Sequence, residues 1–286
     1  MRVFKMVQCV AMLAFLTASV IAQGKVLDNL KELDETNGKM YIQPLVNGVG
    51  MNMSSGFFHS AKSHSVLGFE FGVVAMVAMA PNKDKEYTPV VPGYTPDPAP
   101  TVIGDKNGGA NYGGTTIPPG VGINTIPFVA PQLIVGVPFK TDIIVRFMPK
   151  VKAGDMGKVS MLGFGVKHNL NQWIPVPLPL DVAAGLTYQS VDVGSYLSAS
   201  ASSYHLIASK KLLLFNFYGG FAVESSSMDI TYDQNGGGKV KFSADGVNKS
   251  RVYGGVSISL LLMYLNADID LGKYKAANVG VGFKIR

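Results

Sequence analysis

The side chains with chemical reach are few. There are four histidines, His59, His64, His168 and His205, and one close acidic pair, Asp268 and Asp270. A hydrolytic site needs a serine or acid beside a histidine, with a third group to orient the base. Ser60 follows His59 and Ser65 follows His64, but adjacent residues of a strand point to opposite faces, so neither pair forms a dyad. Ser203 and His205 share a face in SSYHLIAS and can meet, yet no orienting group can be assigned to them, so no catalytic residue is assigned. His59 and His64 lack a carboxylate at fitting spacing; no metal ligand is assigned, and rim or loop positions suit them. Asp268 and Asp270 share a face about 7 Å apart, a distance open to calcium binding or paired-acid hydrolysis. The favoured role is plainer: lumen charges balanced across a hairpin by Lys284 and Arg286. No cofactor is implied.

What positions these residues is a set of strands with one recurrent division. In SVLGFEFGVVAM, Leu67, Phe69, Phe71 and Val73 share one parity, and Gly68, Glu70 and Gly72 the other. VSMLGFGVKH sets Leu162, Phe164 and Val166 against Gly163, Gly165 and Lys167. QLIVGVPFKTDIIVRFMP reads as a hairpin whose apolar face stays uniform if Phe139 pairs with Ile143, Val137 with Val145 and Val135 with Phe147, around a loop at Lys140-Thr141-Asp142. Arg146 falls on its polar face. In the closing MYLNADIDLGKYKAANVGVGFKIR, pairing Leu271 with Ala277 keeps both faces pure. The polar face is rich in glycine and poor in charge. That suits an enclosed interior better than open water, where Lys and Glu dominate, and it favours a membrane barrel over a soluble β-sandwich. Trp173 and Tyr188, near strand ends, are candidates for an interfacial aromatic girdle or for packed rim positions.

Composition agrees. Only 15% of residues are charged and mean hydropathy is +0.23, yet after the N-terminus no run of about 18 apolar residues offers a helical span. Lipid permits only helices and closed barrels. The opening MRVFKMVQCVAMLAFLTASVIAQ reads as a secretory signal peptide over residues 1–22, with the lone cysteine, Cys9, inside it. The remaining chain has no cysteine, so it is exported without disulfides. Lys and Arg are scattered, which argues against a nucleic-acid partner.

Residues 23–39 are expected to form an N-terminal helix with an apolar stripe of Val26, Leu27, Leu30 and Leu33, ended by Asn37-Gly38. It serves either as a plug in the barrel mouth or as a surface helix on the rim. Residues 40–286 are then the barrel, broken by a Pro- and Gly-dense loop at 82–131, which either folds over the mouth, enters the lumen or hides a strand such as PTVIG. Residues 233–250 read as an extended outer hairpin. Strands are expected at 41–58, 65–80, 131–139, 142–150, 159–170, 181–190, 198–209, 215–232, 250–260, 262–271 and 277–286. That count is odd, whereas single-chain bacterial barrels are even. One strand is therefore taken as missed, and the expected fold is an all-β, transmembrane antiparallel β-barrel of about twelve strands, or fourteen, with a short N-terminal helix.

The segments YIQPLVNGVGMNMSSGFFHSA, VGVPFKTDIIVRFMP, GFGVKHNLNQWIP and LNADIDLGKYKAANVGVGFKIR resemble a poorly characterised group of bacterial outer-membrane barrels akin to short FadL-type long-chain fatty-acid transporters. The resemblance implies an outer-membrane barrel with an N-terminal hatch, binding hydrophobic molecules and letting them diffuse through. The expected function is binding or passive passage of small hydrophobic solutes, not enzymatic. The alternatives are a structural or assembly component serving surface or secretion partners, and a lipid-modifying barrel enzyme. The expected partners are outer-membrane lipid and a hydrophobic small-molecule ligand; protein partners are left unassigned. Glu70, Arg146, Lys167, Asp268, Asp270 and Lys284 are the candidate ligand- or lumen-facing residues.

Overall fold

The computed structural model describes residues 25–152 and 157–285; the expected signal peptide, Cys9 and Arg286 lie outside them. Two helices come first, α1 (Lys25–Lys31) and α2 (Glu35–Ser54), followed by the strands. These are β1 (Phe69–Met79), β2 (Glu86–Tyr87), β3 (Ala99–Pro100), β4 (Ala110–Tyr112), β5 (Thr115–Ile117), β6 (Thr125–Val137), β7 (Thr141–Lys152) and β8 (Lys158–Asn169). There follow β9 (Asp181–Val193), β10 (Leu197–Leu212), β11 (Phe215–Asp233), β12 (Lys239–Asp245), β13 (Ser250–Leu260), β14 (Met263–Leu271) and β15 (Lys275–Ile285). The ring runs β1, β6, β7, β8, β9, β10, β11, β13, β14, β15 and back to β1, all antiparallel. β12 lies on β11 beyond the end of β13. Gly246 N–H bonds Ser226 O and Lys249 O accepts from Glu224 N–H, each at 2.9 Å, so β12 and β13 are one stave broken at residues 246–249.

Period-two alternation carries this wall. Phe71, Phe164, Phe217, Leu265 and Val281 are exposed outside, while Glu70, Lys167, Asn266 and Asn278 are buried inside. The barrel thus has ten staves, not twelve. The odd count arose from one strand too many: of the expected strand 41–58, residues 41–54 are helix and 55–58 carry no regular structure. MYIQPLVNGVGMNM is apolar on most sides because the barrel surrounds it on most sides, so neither a strand nor a one-sided helical period stands out. Nor does the first helix end at Asn37-Gly38. Asp34 caps α2 by accepting the Asn37 N–H at 2.8 Å, and both Asn37 and Gly38 lie buried inside it.

Both expected hairpins keep their faces but close two residues earlier. Val137 pairs with Thr141 and Leu133 with Val145, around a turn at Pro138–Lys140 with Phe139 and Lys140 at φ 63° and 50°. Asp142 is not the turn residue; it is drawn inward, where it finds cationic partners. Leu271 pairs with Lys275, because Tyr274 turns in to donate to Asp84 Oδ2 at 2.7 Å.

The strand ends differ. At one end, hereafter the mouth, residues 80–124 fold over α2 as a cap with two short hairpins, β2–β3 and β4–β5, and no stave. Val102, Ile103 and Ile117 join one apolar core with Tyr41, Leu45 and Val49 of α2. Pro44 cannot donate within α2, which leaves the Met40 carbonyl without its helical donor. One residue on, the Tyr41 carbonyl accepts the Val102 N–H of the cap at 2.9 Å. The other end, hereafter the short-turn end, carries the tight turns of β6–β7, β10–β11 and β13–β14 together with the start of β1.

A glycine marks a close seam between β1 and β15. A Cβ at Gly72 would meet the Val281 carbonyl and the Gly282 Cα of β15, backbone that cannot move aside. Gly72→Val is expected to cost about 1–3 kcal/mol by overpacking, read as a lower midpoint for loss of the compact heat-modifiable band on gels.

Candidate functional site: the plugged lumen

Every described lumen candidate projects inward. Glu70, Arg146, Lys167, Asp268 and Asp270 are buried, and Lys284 is half-exposed at the short-turn end. Of the stripe, Val26, Leu30 and Leu33 are buried in the plug's core and Leu27 packs partly buried against it. What these lumen residues face is not water but a second piece of the same chain.

After α2 the chain crosses the lumen as an extended strap, residues 54–64, before entering β1. A strap without secondary structure exposes its backbone, and each unpaired group at this depth is costly. The inner wall answers group by group. Arg251 donates to Ser54 O at 2.6 Å and Arg146 to Ser55 O at 2.9 Å. Gln132 reaches Phe57 O at 3.3 Å and Asn216 reaches His59 O at 3.0 Å. Lys167 holds Ser60 O at 2.8 Å and Lys62 O at 3.0 Å, while Asn169 holds Ala61 O at 3.2 Å. In the other direction, Ala61 N–H donates to Ser209 Oγ and His64 N–H to Asp142 Oδ1, both at 2.9 Å. The donors and acceptors come from six staves.

Charge is neutralised in two clusters. Near the short-turn end, Glu70 takes His59 Nε2 at 2.9 Å, His64 Nε2 at 3.0 Å and Lys284 Nζ at 2.8 Å. Asp142 takes Lys167 Nζ at 2.9 Å and His64 Nδ1 at 3.1 Å, so His64 bridges two carboxylates. Deeper in, Arg251 pairs with Glu224 and, at 2.7 Å, with Asp270. The expected balance of Asp268 and Asp270 by Lys284 is therefore replaced: Asp270 turns to Arg251, Asp268 to Tyr218 Oη at 2.7 Å, and Lys284 to Glu70. Among the described residues, Arg146 has no carboxylate in contact. It rests on Gln132 Oε1 at 2.8 Å, Gln189 Oε1 at 3.1 Å and the face of Phe57 at 3.6 Å.

Sequence reasoning missed Arg251, Asp142 and the histidine–Glu70 contact. Arg251 shares the inward parity of Tyr253, Gly255 and Ser257, so the alternation rule applied to β13 finds it. The contacts of His59 and His64 with Glu70 carry no such signal, because the chain folds back on itself between them. Ser203 Oγ and His205 Nε2 do meet, at 2.8 Å. The imidazole's other nitrogen faces Tyr253 Oη at 3.4 Å rather than a carboxylate, Thr187 binds the serine at 2.6 Å, and Phe58 stands edge-on over the ring. Both Ser203 and His205 are buried in the wall under the strap.

Two cavities flank the mouth. One, of about 320 Å3, is floored by Met40, Gln43, Pro44 and Asn47 of α2 and walled by Tyr87 and Tyr274, with Lys83, Asp84, Glu86 and Lys273 also lining it. The other, of about 570 Å3, lies among Lys150, Lys158, Asp192, Asp229 and Lys241 at the polar ends of the staves. Outside, below those polar ends, the wall is an apolar belt, as lipid demands. A closed antiparallel barrel of this kind is the form in which chains span the bacterial outer membrane.

Asp142→Asn strands Lys167 among carbonyls and is expected to cost about 3 kcal/mol, seen as a lower unfolding temperature in detergent. His64 bridges Glu70 and Asp142 and so ties the strap to two staves. His64→Gln is therefore expected to quicken hydrogen exchange at residues 57–64 by several-fold relative to the native protein at the same pH.

Solved structures with some likeness include an outer-membrane protein, OmpT, and an attachment invasion locus protein, Ail. OmpT of Vibrio cholerae in its trimer form is 10% identical with a TM-score of 0.28, and the match covers 55% of each chain. The chain thus spans just over half the length of that protein. Ail of Yersinia pestis is 7% identical with a TM-score of 0.29, covering 77% of this chain and 100% of that one. No curated protein matches. The barrel assignment stands on the closed strand order itself. A family model described as a family of unknown function, DUF6588, matches residues 1–285, and the chain belongs to that family.

Proposed function

We propose that this protein is a plugged outer-membrane barrel that binds a small, largely apolar solute at its mouth, and that passage follows only when the strap shifts from the wall. The observation that carries this reading is the cavity of about 320 Å3 between α2 and the cap. Its size suits a small ligand; apolar burial against Met40, Pro44, Tyr87 and Tyr274 supplies the affinity, and the charged groups that share the lining suit a polar end on the solute. Pro44 leaves the Met40 carbonyl without its helical donor, and both residues line the cavity, so the fitting solute carries one hydrogen-bond donor on an apolar body. The resemblance to FadL-type transporters points the same way, with a hatch in a smaller barrel. The protein acts as a binder and conduit rather than an enzyme. The second reading, a structural or assembly component, is favoured by how thoroughly α2 and the strap fill the lumen.

Reconstitution in liposomes separates the two. Saturable uptake of a lipophilic fluorescent probe is expected, with exclusion of small hydrophilic solutes. Met40→Trp, which fills the cavity, should weaken probe binding about tenfold, equivalent to about 1.4 kcal/mol. Uptake of neither kind of solute by the native protein would leave the structural reading standing in its place.

A further inference from the structure

The turns at the short-turn end break a rule that the rest of the chain keeps. Among the described residues, glycine takes the left-handed backbone at the mouth-end turns (Gly157, Gly194, Gly237, Gly238), in the cap and in the strap. Five other residues have positive φ, Leu67, Phe139, Lys140, Leu213 and Leu261, and all five lie at the short-turn end. Leu213 and Leu261 are each the first of two turn residues, between Leu212 and Phe215 and between Leu260 and Met263. Such turns ordinarily take glycine, asparagine or aspartate there, because a Cβ is strained and water surrounds the tip. Here the strained residues are also the most exposed apolar ones: Leu67 75%, Phe139 80%, Leu213 91% and Leu261 103%. Exposed Leu212, Leu214, Leu260 and Leu262 flank two of them. Backbone strain and apolar exposure are both unfavourable in water, and neither needs an apolar side chain to close the turn.

We infer that this apolar rim is immersed in the edge of the lipid leaflet and is held there by anionic headgroups, so that the short-turn end never emerges fully into water. The inference rests on the membrane reading and goes beyond the solute proposed above. Two observations name lipid as the occupant. First, the rim continues the outer belt without a break: Phe215 and Phe217 rise from Leu214, and Met263 and Leu265 from Leu262, all exposed. On the shortest stave, β14, nine residues at about 3.4 Å per residue and a tilt near 40° span roughly 21 Å along the barrel axis, against an apolar band of about 25 Å. There the leucine turn at 261–262 supplies the missing height. Second, the exposed charges beside these turns are Lys62, Lys140, Lys210 and Lys211, and the described carboxylates at this end, Glu70, Asp142 and Asp181, are buried or half-buried. Lysine stems that lie along apolar surface with their heads at headgroup depth suit an anionic leaflet.

Trp173, the single tryptophan, is exposed at the same end and reports on it without mutation. In vesicles of phosphatidylcholine with phosphatidylglycerol, its emission is expected to be blue-shifted and quenched by brominated lipid more than by acrylamide. Leu213→Asn with Leu261→Asn sets two effects against each other. In a wet turn asparagine relieves the backbone and raises the melting temperature; in an immersed turn it lowers it by several degrees. A lowered midpoint in vesicles is expected, and exchanging Lys140, Lys210 and Lys211 for glutamine should abolish the gain from phosphatidylglycerol. A native barrel that inserts but shows acrylamide-quenched Trp173, together with a raised midpoint for the asparagine pair, would overturn the inference and leave the rim as a surface for a protein partner. A chain that fails to insert at all removes this inference and the membrane reading together.

Discussion

Everything inside this barrel follows from one constraint: at membrane depth a backbone carbonyl or N–H has no water to turn to. The ten staves satisfy their own backbones by closing on one another. The helix α2 satisfies its own by i to i+4 bonds, apart from the Met40 carbonyl opposite Pro44, and the cap adds a Val102 N–H to the Tyr41 carbonyl beside it. Only the strap has no internal solution, so the inner wall is built to provide one. Arg146, Arg251, Lys167, Gln132, Asn169 and Asn216 each spend a donor on a strap carbonyl. The polar face that could have lined a water channel acts instead as the solvent of one buried segment.

The ions obey the same logic. A buried cation that serves a neutral carbonyl remains charged, and that charge must be answered nearby or spread over dipoles. Lys167 serves two carbonyls and is answered by Asp142. Arg251 serves one and is answered by Glu224 and Asp270. Arg146 is spread over two glutamine oxygens, a carbonyl and the Phe57 ring. Solute passage and this network therefore compete, because any route through the lumen first breaks contacts that neutralise charge.

The wall was legible in the sequence because lipid outside and an enclosed interior impose a strict period of two. That rule placed Phe71, Phe164 and Val281 outside and Asn266 and Asn278 inside from residue types alone. It failed where one environment surrounds an element. Within α2, Tyr41, Ile42, Leu45, Val46 and Val49 are all buried, so the helix carries no one-sided face to contrast with. The even-number rule rightly flagged an error but not its direction; a stave had to be removed rather than added. Hairpin faces were legible and hairpin tips were not, since Asp142 and Tyr274 answer to distant partners, His64 and Asp84, that no local pattern encodes. The strap itself was invisible because its structure belongs to the wall around it.

The path of the chain limits how such a barrel can open. α1 and the start of α2 sit at the mouth, where Tyr232 Oη donates to Leu33 O at 3.0 Å and Asn37 exchanges two hydrogen bonds with the backbone of Val90, both at 2.9 Å. The chain then descends the lumen once and joins β1 at the opposite end. Expelling the helix through the mouth would lift the cap, break its apolar core with Tyr41 and Leu45, and drag the strap through the lumen. Moving the strap alone breaks polar contacts that water or a polar solute group can replace and opens only the smaller apolar cluster of Phe57, Phe58 and Ala61 with Ile134, Ile144, Ala183 and Ile207, leaving the larger core under the cap untouched. The cheaper motion therefore lies at the short-turn end, where the histidines and their carboxylates are gathered and where the strap is held by polar contacts and that small cluster rather than by the larger core.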